Sequence, residues 1–333
     1  MTDTVNRQIL LVEKPSGKLG PEHFKLNPSA IPEPKDGEAL LRVRYISLDA
    51  ANRAWMHGAT YRAAVEPNTV MAGGGIAEVV ASKAPSLKPG DIVFGDTGWQ
   101  EYAAVPAKLL TKMPRIEPLT HLLSVYGIAG LTAYFGLLEI GKPKAGETVV
   151  VSAAAGSVGS IVGQIAKIKD CHVVGIAGGK EKCHWLTSEL GFDAAVNYKD
   201  GAVFKQLKAA APGGVDVYFD NVGGALTQTV MNQMQRPGRV IECGQISTYD
   251  QQGGGWNLDI RPIHGNGLSW EGFTPLQFVE FFPGALAQLG YWLRSGKVKA
   301  LETVIEGFEN APRSLAGLFR GENIGKMLLH VAD

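Results

Sequence analysis

The chain has 333 residues, a length typical of two domains. Hydrophobic residues make up 45% of it and charged residues 19%, a composition that supplies sizeable cores and excludes a disordered or fibrous protein. Lys plus Arg and Asp plus Glu each number 32, so no net charge favours nucleic acid or a membrane surface as a partner. The sequence has no run of 18 apolar residues, and its first residues lack the pattern of a secretion signal, which predicts a cytoplasmic protein.

Cysteine usage agrees with a reducing compartment. The three cysteines, Cys171, Cys183 and Cys243, form no CxxC motif, and an odd number leaves one without a partner in any disulfide scheme. We therefore interpret them as small hydrophobic side chains rather than as catalytic groups.

The first third of the chain alternates short apolar segments with turns. Residues 39–48 (ALLRVRYISL) and 74–82 (GGIAEVVAS) have the pattern of half-buried strands, and a turn at Pro89, Gly90 and Asp91 leads into another strand. Strands at this spacing with no helices between them predict a compact β-barrel-like domain.

The pattern changes near Thr120. Residues 121–141 have helical spacing and end at Gly141, as helices often do. After them, strand-like and helix-like segments alternate; the segments are 148–153, 157–169, 172–177, 180–190, 194–197, 203–211, 215–220, 225–234 and 239–243. Fully apolar strands joined through helices predict a parallel sheet with helices on both faces, which is a doubly wound α/β fold.

Residues 247–267 interrupt this alternation. The segment is long, polar and rich in glycine, which is typical of a loop over a site. A helix near residues 277–294 follows. Beyond Gly296 the chain returns to strands and turns, which we expect to rejoin the first domain.

The turn after the first strand of the alternation carries the chemistry. Residues 153–159 (AAAGSVG) have the spacing of a dinucleotide-binding turn with alanine in place of the first glycine. Gly156 lets the backbone approach a pyrophosphate, and Gly159 lets the next helix pack closely on the strand. The N-terminus of that helix offers unpaired N–H groups to the phosphates. A tight turn without a ligand has a similar sequence. The alternating strands and helices around this turn therefore favour the interpretation as a cofactor-binding site.

The end of the second strand indicates which dinucleotide binds. No Asp or Glu occurs at residues 175–180, where an NAD-binding protein places an acid against the ribose hydroxyls. Lys180 and Lys182 bring positive charge there instead. A hydrogen bond to a charged group contributes about 1.5–3 kcal/mol, or roughly a 10- to 150-fold preference for NADPH over NADH. The alternative is two solvated lysines at a helix start, where positive charge is unfavourable.

Five segments together resemble a known family. The sequences AAAGSVGSIVGQIAKIKDCHVVGIAG, ELGFDAAVNYK, VDVYFDNVGG, GRVIECGQISTY and GENIGKM are similar to the zinc-independent branch of the medium-chain dehydrogenase/reductase superfamily. The closest subgroup is that of the NADPH-dependent alkenal/one reductases, prostaglandin and curcumin reductases among them. The resemblance implies a GroES-like β-barrel catalytic domain of residues 1–120 and 297–333 and an NADP-binding Rossmann domain of residues 121–296. It also implies a homodimer that pairs the Rossmann sheets through the segment GLSWEGF.

The same resemblance implies roles for individual residues. Lys182 matches the lysine that binds the 2′-phosphate, and Tyr198 matches a position near the adenosine phosphate. Asn221 matches a residue on the nicotinamide side of the cleft, and Asn323 matches an asparagine that contacts the cofactor from the C-terminal segment. Tyr249 matches a tyrosine near the nicotinamide ribose and the substrate carbonyl. The remaining cofactor-binding positions line the pyrophosphate turn or pass beside the nicotinamide; they are Gly156, Ser157, Val158, Gly159, Cys243, Gly244 and Ile246.

The implied reaction is hydride transfer from NADPH to the β-carbon of an α,β-unsaturated aldehyde or ketone, with negative charge developing on the carbonyl oxygen. This chemistry needs a hydrogen-bond donor to that oxygen and no metal. We expect Tyr249 to be the donor, alone or with the ribose 2′-hydroxyl. The alternative is a tyrosine that only packs at the hinge between sheet and loop.

One position departs from the family pattern. The usual SLDPYMR reads SLDAANR at residues 47–53, so Ala51 occupies the position of an active-site tyrosine in the substrate site. Either Tyr249 and a cofactor hydroxyl suffice for orienting the substrate, or the substrate is bulkier.

Other side chains near the cleft carry weaker signals. Trp256 and Trp270 are candidates for aromatic walls of the substrate site, with packing in the core as the alternative. Asp49 and Arg53 are interpreted as an ion pair near the cleft. No histidine stands in a GHE, HxH or HExxH motif, so no zinc site is predicted.

Two other functions fit the same architecture. An NADPH:quinone reductase would differ in the walls of the cleft, and a nucleotide-binding protein without turnover would explain Ala51. The second is disfavoured because a scaffold has no physical need for Lys182, Asn221, Tyr249 and Asn323 together. Product analysis separates the enone reductase from the quinone reductase. Cofactor binding without oxidation would identify the nucleotide-binding protein without turnover.

Overall fold

The computed structural model describes residues 5–60, 62–250 and 256–332. The first part of the chain consists mainly of strands. They are β1 (Val5–Leu11), β2 (Phe24–Ala30), β3 (Glu38–Leu48), β4 (Thr69–Val70), β5 (Gly74–Ser82), β6 (Ile92–Asp96), β7 (Tyr102–Pro106) and β8 (Thr111–Met113), with helix α1 (Ala50–His57) after β3. The pairings of these strands with one another are antiparallel.

The second part alternates strands and helices. Its elements are α2 (Ile128–Phe135), β9 (Thr148–Ser152), α3 (Ser157–Ile168), β10 (His172–Ala177), α4 (Lys180–Glu189), β11 (Ala194–Asn197), α5 (Val203–Ala210), β12 (Val215–Asp220), α6 (Gly224–Met231), β13 (Met234–Glu242), α7 (Arg261–Gly265), β14 (Ser269–Gly272) and α8 (Phe282–Arg294). The six strands form one parallel sheet in the order β11-β10-β9-β12-β13-β14. The strand order reverses between β9 and β12, where a doubly wound sheet binds its ligand.

The chain then returns to the first part. Its last elements are β15 (Glu302–Glu306), α9 (Ala311–Phe319) and β16 (Lys326–His330). Strand β16 pairs with β3 in the antiparallel direction, and β15 lies outside β16. A parallel Rossmann sheet and a separate antiparallel part confirm the predicted fold class. The domain limits at residues 120 and 297 stay a prediction.

The parallel sheet forms where it does because both faces of its strands are covered. Val149 and Val151 pack in one apolar cluster with α3, and Val150 packs in another on the opposite face. All three side chains are fully buried. Such strands read as continuous apolar runs in the sequence, which is why their positions were predictable.

Two predicted helices are broken in the structure. The prediction of one helix over residues 121–141 is wrong: a 3-10 turn at Leu119–Leu122 precedes α2, and a π-helical turn at Gly136–Gly141 follows it. The chain is tightly packed between the 3-10 turn and α2. A Cβ on Gly130 would lie 1.9 Å from the carbonyl oxygen of Val125. The segment 277–294 likewise splits into a 3-10 segment and α8.

The predicted loop 247–267 is partly ordered. It contains the short helix α7, whose start is favoured by a proline in its first turn. Residues 251–255 of this segment lie outside the described residues. Strand β14, which contains most of the segment predicted to pair two subunits, forms one edge of the parallel sheet. The homodimer itself stays a prediction. Within the described ranges, none of the helices is long and apolar enough to cross a membrane.

A buried ion pair joins the C-terminal strand to the start of α1. The ammonium group of Lys326, whose side chain is 2% exposed, donates to Asp49 Oδ1 at 2.5 Å and to the carbonyl oxygen of Leu48 at 3.0 Å. Ser47 donates its hydroxyl hydrogen to the other carboxylate oxygen of Asp49. The prediction that Asp49 pairs with Arg53 is therefore wrong, since Asp49 pairs with the buried ammonium group of Lys326 and Arg53 pairs with Asp250.

Candidate active site

The turn between β9 and α3 is closely packed. Ala153 adopts a left-handed backbone conformation with φ 46°, and its carbonyl oxygen accepts from the N–H of Gly156 at 2.8 Å. A Cβ on Gly159 would lie only 2.5 Å from that oxygen. Because the backbone atoms of Ala153 and Ala154 leave no room, only glycine at position 159 allows α3 to begin directly against the turn.

The surface of the same turn has the features that a pyrophosphate needs. At Gly156 an added Cβ would meet a single atom, at 3.0 Å, so that space in front of this residue is open. The Ser157 hydroxyl lies in the first turn of α3, where it is buried and has no hydrogen-bond partner within the described ranges. Val158 is half-buried beside it. An unpaired hydroxyl next to free helix N–H groups fits a phosphate ligand.

The C-terminal segment of the chain reaches this turn. The N–H of Gly325 donates to the carbonyl oxygen of Ala155 at 2.8 Å. Asn323, which is 8% exposed, donates from Nδ2 to the carbonyl oxygen of Gly325 at 2.7 Å. Gly325 has a φ of 67°, and a Cβ there would lie 2.1 Å from Leu301 O. The two parts of the chain therefore meet at the turn between β9 and α3.

A cluster of cations lies beyond the end of β10. Lys182, in the first turn of α4, donates from Nζ to the carbonyl oxygen of Gly321 at 2.8 Å. Burial, and then the nearby charge of Lys199, lower the pKa of Lys182. The Tyr198 ring lies over Gly178, where a Cβ would be 2.7 Å from the phenol oxygen. Lys180, by contrast, is exposed. Lys199 was missed in the sequence, since it follows the third strand and not the second.

The carboxylate of Asp220 organises the point where the strand order reverses. It is fully buried at the end of β12 and accepts five hydrogen bonds. The donors are the hydroxyls of Ser152, Tyr218 and Thr227 and the N–H groups of Val222 and Gly223. The backbone oxygen of Asp220 accepts from the N–H groups of Cys243 and Gly244, at 2.9 and 3.2 Å, so the end of β13 is held as well.

Asn221 continues this arrangement. It donates from its backbone N–H to the Ser152 hydroxyl and from Nδ2 to the Ser152 carbonyl oxygen, both at 2.8 Å. Its own carbonyl oxygen accepts from Ile246 at 3.3 Å. Burial raises the pKa of the Cys243 thiol to about 12, which keeps it protonated. The predicted residues Asn221, Cys243, Gly244 and Ile246 therefore lie together at the carboxyl ends of β12 and β13.

Tyr249 lies directly after this group. Its hydroxyl oxygen accepts from the N–H of Gln245 at 3.5 Å, and a Cβ on Gly244 would lie 3.3 Å from that oxygen. Because an N–H group only donates, the phenol keeps its own hydrogen for another acceptor. Burial is the main cause that raises the pKa of Tyr249, so the phenol is protonated at neutral pH.

Two side chains of α1 hold the segment that carries this tyrosine. His57 Nε2 lies 2.8 Å from the backbone oxygen of Tyr249, and Arg53 Nε lies 3.0 Å from Asp250 Oδ1. Both contacts join residues about 190 positions apart, which no local pattern reveals. Ala51, on the same helix, packs against the core of the antiparallel sheets.

The aromatic candidates lie on the far side of β13. The Trp256 and Trp270 rings are 6.5 Å apart between centroids, and Trp270 packs against an apolar core cluster. Glu242, which no motif in the sequence marks, lies on β13 between β12, which carries Asp220, and β14, which carries Trp270. Burial, followed by the charge of Asp220, raises the pKa of the Glu242 carboxyl to about 7, and Gln245 and Trp270 lower it. A substrate contact for Trp256 stays a prediction.

Across residues 5–60, 62–250 and 256–332, no group of three or more His, Cys, Asp or Glu side chains is arranged to hold a metal ion. The three cysteines are free, and Cys171 is buried.

Known proteins resemble this chain over its whole length. Two family models match, one described as the N-terminal domain of oxidoreductase over residues 7–113 and one described as zinc-binding dehydrogenase over residues 157–289. The putative NADP-dependent oxidoreductase YfmJ of Bacillus subtilis (strain 168) is 46% identical over 98% of this chain and 98% of its own. The NADP+-dependent 2-alkenal reductase of Nicotiana tabacum is 39% identical over 89% of this chain and 88% of its own. The crystal structure of CurA from Vibrio vulnificus with NADPH matches with a TM-score of 0.93 and 38% identity, over 98% of this chain and 99% of that chain.

The chain belongs to the medium-chain dehydrogenase/reductase superfamily. The superfamily that five sequence segments indicated is thereby confirmed. Doubly wound α/β sheets bind their ligands at the carboxyl edge, where the strand order reverses. Here that edge contains the Ser157 turn, the cations beyond β10 and the group around Asp220.

The raised pKa of Glu242 predicts a dependence of stability on pH. The ordinary pKa is 4.5 and the folded value about 7, so the native state holds a proton that the unfolded state releases earlier. Stability is therefore lost as pH rises from about 4.5 through about 7. Glu242→Gln cannot ionise, and its advantage over the wild type should grow by roughly 2 kcal/mol between pH 5 and pH 8. Urea unfolding at both pH values measures this.

Glu189→Gln is the matched control, since Glu189 belongs to an exposed ion pair with Lys299 at 3.2 Å. Its stability should follow the pH dependence of the wild type. Parallel stability curves for Glu242→Gln and the wild type would contradict the raised pKa.

Proposed function

We propose that the protein is an NADPH-dependent reductase of the carbon–carbon double bond in α,β-unsaturated aldehydes and ketones. The observation that carries the proposal is the position and the hydrogen bonding of the Tyr249 hydroxyl. It lies at the carboxyl end of β13 and keeps a free hydrogen, because its only described contact is as an acceptor from Gln245. A relative of 39% identity is named a 2-alkenal reductase, and a solved structure of 38% identity holds NADPH, which supports the same reaction and cofactor.

The cofactor proposal rests on residues that fit NADPH. The buried Ser157 hydroxyl and the open space at Gly156 suit the pyrophosphate. Lys182 and Tyr198, together with the neighbouring Lys199, suit the 2′-phosphate, because two ammonium groups near one site attract a dianion. Burial also lowers the pKa of Lys182, and an arriving phosphate would offset that desolvation.

The reaction follows from these positions. When bound, the reduced nicotinamide would supply a hydride for the β-carbon of the substrate, and a proton from solvent would then complete the saturated product at the α-carbon. The Tyr249 hydroxyl donates to the substrate carbonyl oxygen, where negative charge develops, and its raised pKa keeps it a donor. Asn221 and Gly244 form the adjoining wall at the ends of β12 and β13. Enals alkylate thiolates. The raised pKa of Cys243 keeps this thiol protonated, which protects it from alkylation by the enal substrate of the enzyme.

The first test is product analysis. NADPH and NADH are each offered with a linear 2-alkenal, an aromatic enone and a quinone, and the products are identified by mass spectrometry. We expect the saturated aldehyde or ketone with NADPH and weaker turnover with NADH. Turnover of the quinone alone would instead support a quinone reductase. NADPH binding without any oxidation would contradict both enzyme assignments.

Tyr249→Phe tests the donor. Loss of the hydroxyl should lower kcat for the enone about 100-fold, because one donor to a developing oxyanion or proton-transfer group contributes that much. The affinity for NADPH, measured by the quenching of protein fluorescence, should not change. Tyr291→Phe removes an exposed hydroxyl on α8 and should have no effect. An unchanged kcat in Tyr249→Phe would remove the tyrosine from the mechanism.

Lys182→Ala tests the choice of cofactor. The loss of a charged partner for the 2′-phosphate should raise KM for NADPH about 10- to 100-fold and leave KM for NADH unchanged. Lys208→Ala, on the exposed side of α5, is the control with the same change in net charge. Equal effects on both cofactors would show that Lys182 has a structural role only.

A further inference from the structure

We propose that Arg53 and His57 are positioning residues for Tyr249, acting from α1 through Asp250 and through the backbone of the tyrosine. The inference rests on the proposed role of Tyr249 as the hydrogen-bond donor. Neither residue reaches the phenol hydroxyl itself. The two residues fix the segment that follows β13, and this segment sets the direction of the Tyr249 ring.

Arg53 is built as an anchor. Its side chain is fully buried, and Nη2 donates to the carbonyl oxygens of Pro15 and Gly17 at 3.2 and 2.8 Å. Nε faces Asp250 and lies 3.0 Å from Oδ1, while Nη1 is buried and has no hydrogen-bond partner within the described residues. Because the two carbonyl oxygens hold the guanidinium group in the antiparallel part of the chain, Asp250 is pulled to a defined place.

His57 makes a second contact one helical turn later. Residues four apart lie on the same face of a helix, so Arg53 and His57 point the same way. His57 Nε2 lies 2.8 Å from the backbone oxygen of Tyr249. A carbonyl oxygen only accepts, so Nε2 is the donor. Two consecutive residues, Tyr249 and Asp250, are therefore held by two side chains of one helix.

Ser247 holds the backbone before the tyrosine through its N–H and its hydroxyl, at 3.1 and 2.7 Å from the carbonyl oxygen of Val222, but the phenol hydroxyl itself is held weakly. The contact between the Tyr249 hydroxyl and the Gln245 N–H is 3.5 Å long, at the outer limit of a hydrogen bond. Only one 3-10 turn, Ile246–Thr248, lies between β13 and the ring. A donor misplaced by about 1 Å costs on the order of 100-fold in rate, so the contacts with α1 decide whether the phenol is effective.

A double-mutant cycle tests the inference. Asp250→Ala removes the partner of Arg53 and should lower kcat for the enone about tenfold, with KM for NADPH unchanged, since contacting residues couple by about 2- to 150-fold. Asp250→Asn keeps an oxygen acceptor for Arg53 and should restore most of the rate. In the Tyr249→Phe background, Asp250→Ala should change kcat less than twofold, because no hydroxyl remains to be positioned.

His57 provides an independent arm. His57→Ala should lower kcat in the wild-type background and not in Tyr249→Phe, and His57→Gln, whose amide can donate in place of the imidazole, should recover part of the loss. Glu189→Gln is the control for removal of a paired carboxylate elsewhere. Thermal unfolding of each variant checks that the fold persists.

The outcomes are distinct. A tenfold loss from Asp250→Ala in both backgrounds, or no loss in either, would overturn positioning of the phenol. If Tyr249→Phe keeps its full kcat, the proposed role of Tyr249 fails, and with it this inference. If enones are not reduced at all while NADPH is oxidised by quinones, the proposed function fails, and the same cycle run with the quinone then decides whether α1 positions Tyr249 for that reaction.

Discussion

The buried carboxylate of Asp220 is the interaction on which the active site depends. Hydroxyl and N–H donors from β9, β12 and α6 converge on it, and its backbone oxygen holds the start of the segment after β13. A buried carboxylate without donors would cost several kcal/mol, so the satisfied set of hydrogen bonds makes this geometry the stable one. The places of Asn221, Gly244 and Tyr249 follow from it, because each lies within a few residues of these strand ends.

Within the described residues, the antiparallel part reaches the candidate site at three places. Gly325 contacts the turn between β9 and α3, and Gly321 accepts from Lys182. The third contact is that of α1 with the segment around Tyr249. The pair of Lys326 and Asp49 joins the first two to the third, since Lys326 directly follows Gly325 and Asp49 lies at the start of α1. The nucleotide site and the proposed donor are therefore supported by one continuous piece of structure.

The sequence predicts those features that are written in local periodicity or in fixed spacing. Apolar strands buried on both faces, the turn with Gly156 and Gly159, and Lys182 after the second strand all belong to this class. Features set by contacts over long separations were missed or wrong. Asp49 was paired with Arg53 four positions away, whereas the structure pairs it with Lys326 and gives Arg53 to Asp250. The break in the predicted helix 121–141 has the same origin, because helical periodicity does not record the close approach of neighbouring backbone.

Ala51 acquires a physical meaning from these contacts. In the family pattern a tyrosine at this place on α1 supplies a phenol, whereas here the residue packs on the core of the antiparallel sheets. The same helix carries the two side chains that contact the Tyr249 segment, Arg53 and His57. If Tyr249 is the donor, as proposed above, α1 contributes to orientation of the substrate through Arg53 and His57 and not through a phenol of its own. The position of a single phenol is then set from a helix about 190 residues away in the sequence.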